Sequence, residues 1–199
     1  MLRPTLVSRR YLDHLMSAAE TGHIAVARQT LVGGNYALVD QNHDWRANPD
    51  FFIARLWGAV FEAGADAAGD VRVLRAGRDP VIATDAMREL RALGACGANG
   101  TLVLALANVA AEPVNVLVDF DGASVDGQGV REEWVLTGSA GDATSRAVEL
   151  NGEPLAATEG VVPPLDPAVV RDGGSMFQAP AWSVSFVRFP AVFPTACAA

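Results

Sequence analysis

Apolar positions follow two different rhythms along the chain. In the first seventy-odd residues, stretches with helical spacing alternate with short apolar runs. Tyr11, Leu12, Leu15 and Met16 recur at helical spacing within SRRYLDHLMSAAE (8–20), and Thr21-Gly22 marks the end of that helix. IAVARQTLV (24–32) is β-branched and nearly continuous, which predicts a buried strand. Asn48-Pro49-Asp50 opens a second helix whose apolar side takes Phe51, Phe52, Leu56, Trp57 and Val60, with Gly64 closing it. VRVLRA (71–76) predicts another short strand. Helix–strand–helix–strand is the rhythm of α/β architecture with parallel strands. Two strands do not close such a sheet, so this half reads as incomplete.

From about residue 85 the pattern becomes that of short strands alone. Residues 89–95, 101–110, 114–120, 130–136, 146–151 and 181–189 are strand candidates, separated by turn-rich stretches such as ACGANG, DGASVDGQG and RDGGS. This spacing predicts an antiparallel sandwich. Asn108 and Asn115 flank an expected hairpin connection, and VVPPLDP (161–167) reads as a long irregular loop. Neither an internal repeat nor a low-complexity tail interrupts the two halves.

One segment raises a chemical question. RQTLVGGNYALVD (28–40) halts an apolar run at Gly33-Gly34 and resumes it after Asn35-Tyr36. A glycine pair serves a tight turn, or it lets a ligand approach the backbone at the carboxyl end of a barrel strand. On the residues alone both readings stand.

Composition narrows the partners. The net charge of −8 with no basic cluster speaks against nucleic acid and anionic membrane surfaces, leaving at most peripheral membrane association. All 15 basic residues are arginine, which fits genomic base composition given the abundant Ala, Gly, Arg and Val. No apolar stretch is long enough to cross a bilayer as a helix. MLRPTLVSRR lacks an apolar h-region, so no signal peptide is read in this chain. His14, His23, His43, Cys96 and Cys197 form no metal-ligand spacing, and neither a metal nor a cofactor is expected. Asn99-Gly100-Thr101 is an N-glycosylation acceptor triplet in a turn.

A series of short stretches then carries a family resemblance: YLDHL (11–15), RQTLVGGNYALVD (28–40), NPDFFIARLW (48–57), REEWVLTGSAGD (131–142), VELNGEPL (148–155), PPLDP (163–167) and APAWSVSFVRF (179–189). In that order, over nearly the whole chain, they resemble the C-terminal part of heparanase and heparanase-like proteins, glycoside hydrolase family 79. The resemblance implies that residues 1–80 are the terminal strand–helix units of a (β/α)8 TIM barrel and that residues 81–199 are a C-terminal antiparallel β-sandwich. It implies that Gly34, Asn35 and Tyr36 line the active-site rim and contact sugar. Glycine exposes its N–H, Asn offers a donor and an acceptor, and Tyr gives a stacking face with a polar tip. It also implies a Cys96–Cys197 disulfide, use of Asn99 for glycosylation, and a secreted, extracellular or lysosomal/vacuolar location.

Family members hydrolyse glycosidic bonds beside a hexuronic acid with retention, using an acid/base and a nucleophilic glutamate about 5–5.5 Å apart. No residue of this chain matches either, so none is assigned a catalytic role. Glu20, Asp40, Glu132 and Glu133 read as solvated surface carboxylates. The expected function is that of a C-terminal fragment of a β-glucuronidase-type hydrolase acting on a uronic-acid-containing glycan, with the missing barrel portion supplied in cis or in trans. The alternatives are a non-catalytic carbohydrate-binding or structural module, or one half of a split enzyme.

Overall fold

The computed structural model describes residues 4–23, 25–34, 37–61, 72–74, 82–83, 89–97, 101–119, 129–157, 161–171, 174–190, 192 and 197. Two helices come first, α1 (Pro4–Glu20) and α2 (Pro49–Phe61). Helix α1 buries Tyr11, Leu12, Leu15 and Met16, the spacing read from the sequence. It stops where Gly22 turns to φ +78°, with Gly22 N–H donating to Ala19 O and His23 N–H to Ala18 O. That pair of bonds is a Schellman ending, which glycine accommodates without strain. Helix α2 starts on Pro49, whose fixed φ and missing N–H suit a first turn. It buries Phe52, Ile53, Leu56, Val60 and Phe61; Gly64 lies outside the described residues.

Between the helices a small hairpin pairs β1 (Val39–Asp40) with β2 (Arg46–Ala47). The other strands are β3 (Arg72–Leu74), β4 (Ile82–Ala83), β5 (Leu90–Cys96), β6 (Leu102–Asn108), β7 (Val114–Val118), β8 (Arg131–Gly138), β9 (Val148–Leu150), β10 (Glu153–Leu155), β11 (Ala168–Val170), β12 (Met176–Ala179) and β13 (Val184–Phe189). An eight-stranded sheet runs β10-β9-β8-β13-β6-β5-β3, with β11 also on β8, and a three-stranded sheet runs β12-β7-β4. All of these pairings are antiparallel.

Strand β6 explains the layering. Every one of its residues is buried, because both of its faces are covered. Leu102, Leu104 and Leu106 point to the small sheet and meet Val116, Phe177 and Phe189. Val103, Ala105 and Ala107 point the other way, where smaller side chains leave room for the helices carrying Leu12, Phe52 and Leu56. The result is helices, central sheet and small sheet in three layers, the last two forming a sandwich. Trp57 and Phe61 of α2 set their rings against Phe186 of β13 at 6.5 and 6.3 Å.

The all-β half therefore takes the expected sandwich form, except that the connection flanked by Asn108 and Asn115 is no hairpin, since it carries β6 of one sheet to β7 of the other; the first half departs from its reading. Residues 25–31 form no strand; Val32 makes one isolated parallel bridge, to Val39. Leu31 is 62% exposed, although the apolar run had predicted burial. The cause is pairing: among the described residues only the short stretch 38–39 bonds to this run, and no extended strand flanks it. The strand expected at 71–76 does form, as β3, but it is the antiparallel edge neighbour of β5 and not a member of a parallel sheet. The strand expected at 146–151 is one arm of a hairpin. Asn151 (φ 53°) and Gly152 (φ 85°) turn β9 into β10, the positive-φ pair of a type I′ turn.

Candidate functional site

The segment of interest leaves the end of α1 along 25–32, the outgoing limb, and the chain comes back to lie beside it at 37–40, the return limb, running in the same direction. Leu38 N–H donates to Thr30 O at 3.1 Å and Val39 N–H to Leu31 O at 2.9 Å, so the two limbs lie side by side. At the tip, Gly33 and Gly34 take φ of +82° and +87°, a region costly for any residue with a Cβ. Thr30 Oγ1 donates to Gly33 O at 2.5 Å and holds the tip in place. Gly34 is exposed, with open space where a side chain would stand. Asn35 and Tyr36 lie outside the described residues, as does Asn99. Of the three residues expected to bind sugar, the structure thus places Gly34.

The return limb is anchored at each step. Asn48 Nδ2 donates to Ala37 O at 2.7 Å and Asn48 N–H to Leu38 O at 2.8 Å, tying the limb to the start of α2. At its base, Asp40 accepts from the Asn42 N–H at 3.0 Å and from Arg146 Nη1 at 2.7 Å, and His43 Nδ1 lies 2.8 Å from Oδ2. These partners, the Asn42 N–H first, hold the Asp40 carboxyl below its ordinary value. Arg146 belongs to the β8–β9 connection, so this contact joins the loop to the sandwich.

Arg28, at the foot of the outgoing limb, pairs with Asp50 of α2 and stands 4.4 Å over the Tyr11 ring. Burial pushes the Tyr11 phenol above its ordinary value; Arg28 opposes the shift and Asp50 adds to it. With its partner carboxylate almost wholly buried, Arg28 works as an internal clamp rather than as a cation facing a cleft.

The carboxylates expected to be solvated are paired instead. Glu20 meets Arg91, whose second contact is Asp13 at 3.1 Å. Glu132 meets Arg188, and Glu133 meets Arg131 at 2.6 Å. Glu132 and Glu133 are successive strand residues and so point to opposite faces of the sheet. Sequence reading missed these partners because they come from other elements. The exception is Arg131, two residues before Glu133, where the same-face spacing on a strand was legible. Among the described residues no group of three or more His, Cys, Asp or Glu could hold a metal.

Two further features frame the site. Cys96, at the end of β5, is bridged to Cys197 with Cα atoms 5.4 Å apart. A cavity of about 540 Å³ lies between α1, α2 and the central sheet, lined among others by Tyr11, Leu15, His23, Val26, Trp57 and Leu93. No sequence signal marks this cavity, since its walls come from α1, α2, residues 22–26 and strands β3 and β5, which only the fold brings together.

No family model matches the chain. Baicalin-beta-D-glucuronidase of Scutellaria baicalensis is 32% identical over 181 residues, which is 90% of this chain and 31% of that protein. Heparanase-like protein 1 of Arabidopsis thaliana is 27% identical over 217 residues, 94% of this chain and 37% of that protein. The chain spans about a third of the length of the curated relatives it matches. Among solved structures, the GH51 arabinofuranosidase from Xanthomonas axonopodis pv. citri is similar with a TM-score of 0.52 at 16% identity, covering 93% of this chain and 35% of that one. A glycoside hydrolase family 30 subfamily 8 xylanase from Clostridium acetobutylicum gives 0.52 at 12% identity, covering 95% and 40%. At such identities the likeness concerns the fold alone.

Proposed function

Because this chain belongs to the heparanase-like family of glycoside hydrolases, family 79, we propose that it supplies one wall of the sugar site of a retaining, β-glucuronidase-type hydrolase. On this reading the catalytic glutamates belong to another part of the full protein, and residues 1–80 complete a barrel with that part. The observation that carries it is the outgoing limb 25–32. An apolar run with Leu31 62% and Val32 37% exposed leaves apolar surface and backbone open along most of its length, and such segments invite pairing. The tip that follows is built for a ligand: a glycine with a bare, exposed backbone, then Asn35 and Tyr36.

The substrate class we propose is a glycan containing glucuronic acid with few sulfates. Arg28 is committed to Asp50, and the net charge of −8 opposes capture of a densely sulfated polymer. Gly34 offers its N–H to a hydroxyl, Asn35 both donates and accepts, and the Tyr36 ring stacks on the sugar. The test is a chimera in which this chain replaces the matching region of a full-length heparanase-like protein. Turnover of an aryl β-glucuronide should survive the exchange. Tyr36→Ala should then lower kcat/KM by about tenfold to a hundredfold, the scale of one lost hydrogen bond and its contact area. An unchanged kcat/KM would remove Tyr36 from the site.

A second reading, a binding or structural module, draws on a different observation. The core between the two sheets is closed on its own, with β6 buried on both faces and the Cys96–Cys197 bridge at its edge. Glycan binding by the chain without any partner, undiminished by Tyr36→Ala, would favour this reading over the first.

A further inference from the structure

Arg28, Arg91, Arg131 and Arg188 each meet a carboxylate. Arg9 does not. It sits on α1 with 3% of its surface exposed, and both of its Nη atoms are buried without a hydrogen-bond partner among the described residues. Its guanidinium carbon stands 4.8 Å from the centre of the Trp182 ring. A ring face attracts a cation but supplies neither a countercharge nor an acceptor in the guanidinium plane. Trp182 is held there by its backbone, in the left-handed region at φ 53° with its N–H on Ala110 O at 3.1 Å. Burial pulls Arg9 down to about 10, so the group is still charged at neutral pH. A buried charge without compensation is among the costliest features a fold can carry.

Beside the guanidinium lies a cavity of about 20 Å³, lined by Arg9, Trp182, Thr137 and Gly138 and by apolar side chains including Ile53 and Leu136. The cavity is small, with room for a compact occupant beside the guanidinium. No described carboxylate lines it. What the site lacks is negative charge, which water does not bring. We propose that the cavity at the junction of α1, α2 and β8 binds a single halide ion, with Arg9 supplying the charge and the N–H donors and Trp182 covering the other side. The ion would then fasten the helix layer to the central sheet.

The test holds ionic strength fixed and exchanges sodium gluconate for sodium chloride during thermal unfolding of the whole chain. Chloride should raise Tm by at least about 3 °C through preferential binding to the folded state. Arg9→Met should lose that rise, and Arg171→Met, at an exposed arginine, should keep it. No rise in the unmodified chain, or an equal rise in Arg9→Met, overturns the proposal. Because Arg9→Met could itself fail to fold, bromide anomalous diffraction from the unmodified chain gives a second reading. A bromide peak within hydrogen-bond reach of the Arg9 Nη atoms supports the site, and its absence at saturating bromide overturns it.

Discussion

Asn108 shows how much a single side chain decides. It is fully buried at the end of β6; its Oδ1 accepts the Ala110 N–H at 2.9 Å, and its Nδ2 faces Glu112 O and Ala179 O at 3.1 Å and Pro180 O at 2.9 Å. One amide thereby closes the β6–β7 connection and fixes the entry to β13. Asn108→Ala strands one N–H and these carbonyls in the interior. It should cost about 2–4 kcal/mol by chemical denaturation. A cost below about 0.5 kcal/mol would mean that the connection holds without it. The sequence marked Asn108 and Asn115 alike as hairpin flanks. Yet Asn115 is exposed and makes a surface contact with Gln178 at 3.1 Å. Residue type was legible at both positions; burial was not, because it depends on β12 and β13, distant in sequence.

At the scale of elements, legibility followed local periodicity. Helix α1, helix α2 and strands β5 to β8 were readable because each carries its own spacing and end signals, from Gly22 to Pro49. The run 24–32 was misread because apolar content predicts burial only where a neighbour exists to bury it. Strand β10 was missed although Asn151-Gly152 is a strong turn signal, since three residues are too few to show alternation. Its turn residue has a second use: Asn151 Oδ1 accepts the Val135 N–H at 2.8 Å and Nδ2 donates to Glu133 O at 3.1 Å, filling the gap between β9 and β11 along β8. The loop over residues 28–40 depends in the same way on Asp40, whose partners lower its pKa. Its contribution to stability is present above the unfolded value, about 3.9, and is lost as pH falls through the lower folded value. Asp40→Asn should therefore lower stability at pH 7 and flatten the acid side of the stability profile below about pH 4. Parallel acid profiles for the two proteins would show that the loop does not rely on this carboxylate.

At the scale of the whole molecule, two cores share one sheet, and the Cys96–Cys197 bridge ties the last residues to the edge of the second core. The bridge spans a sequence separation of 101. On the chain-entropy account a loop of that size is worth up to about 4.7 kcal/mol, acting through the unfolded chain. Replacing both cysteines by serine should lower stability by several kcal/mol without altering the far-ultraviolet spectrum; two alkylatable thiols in oxidatively folded protein would contradict the bridge itself. The pairing came from family resemblance, since no local spacing joins residues so far apart. The proposed function in turn makes one demand on the whole chain, that it supply a sugar-facing wall and leave the chemistry to another part of the protein. The carboxylates Glu20, Asp40, Asp50, Glu132 and Glu133 are each engaged by an arginine. The most direct measurement is hydrolysis of an aryl β-glucuronide by the purified chain from acidic to neutral pH. The account expects no turnover above a buffer blank, because neither leaving-group protonation nor a covalent intermediate is available. Turnover that disappears when one of the chain's own carboxylates is changed, as in Glu132→Gln, would contradict it.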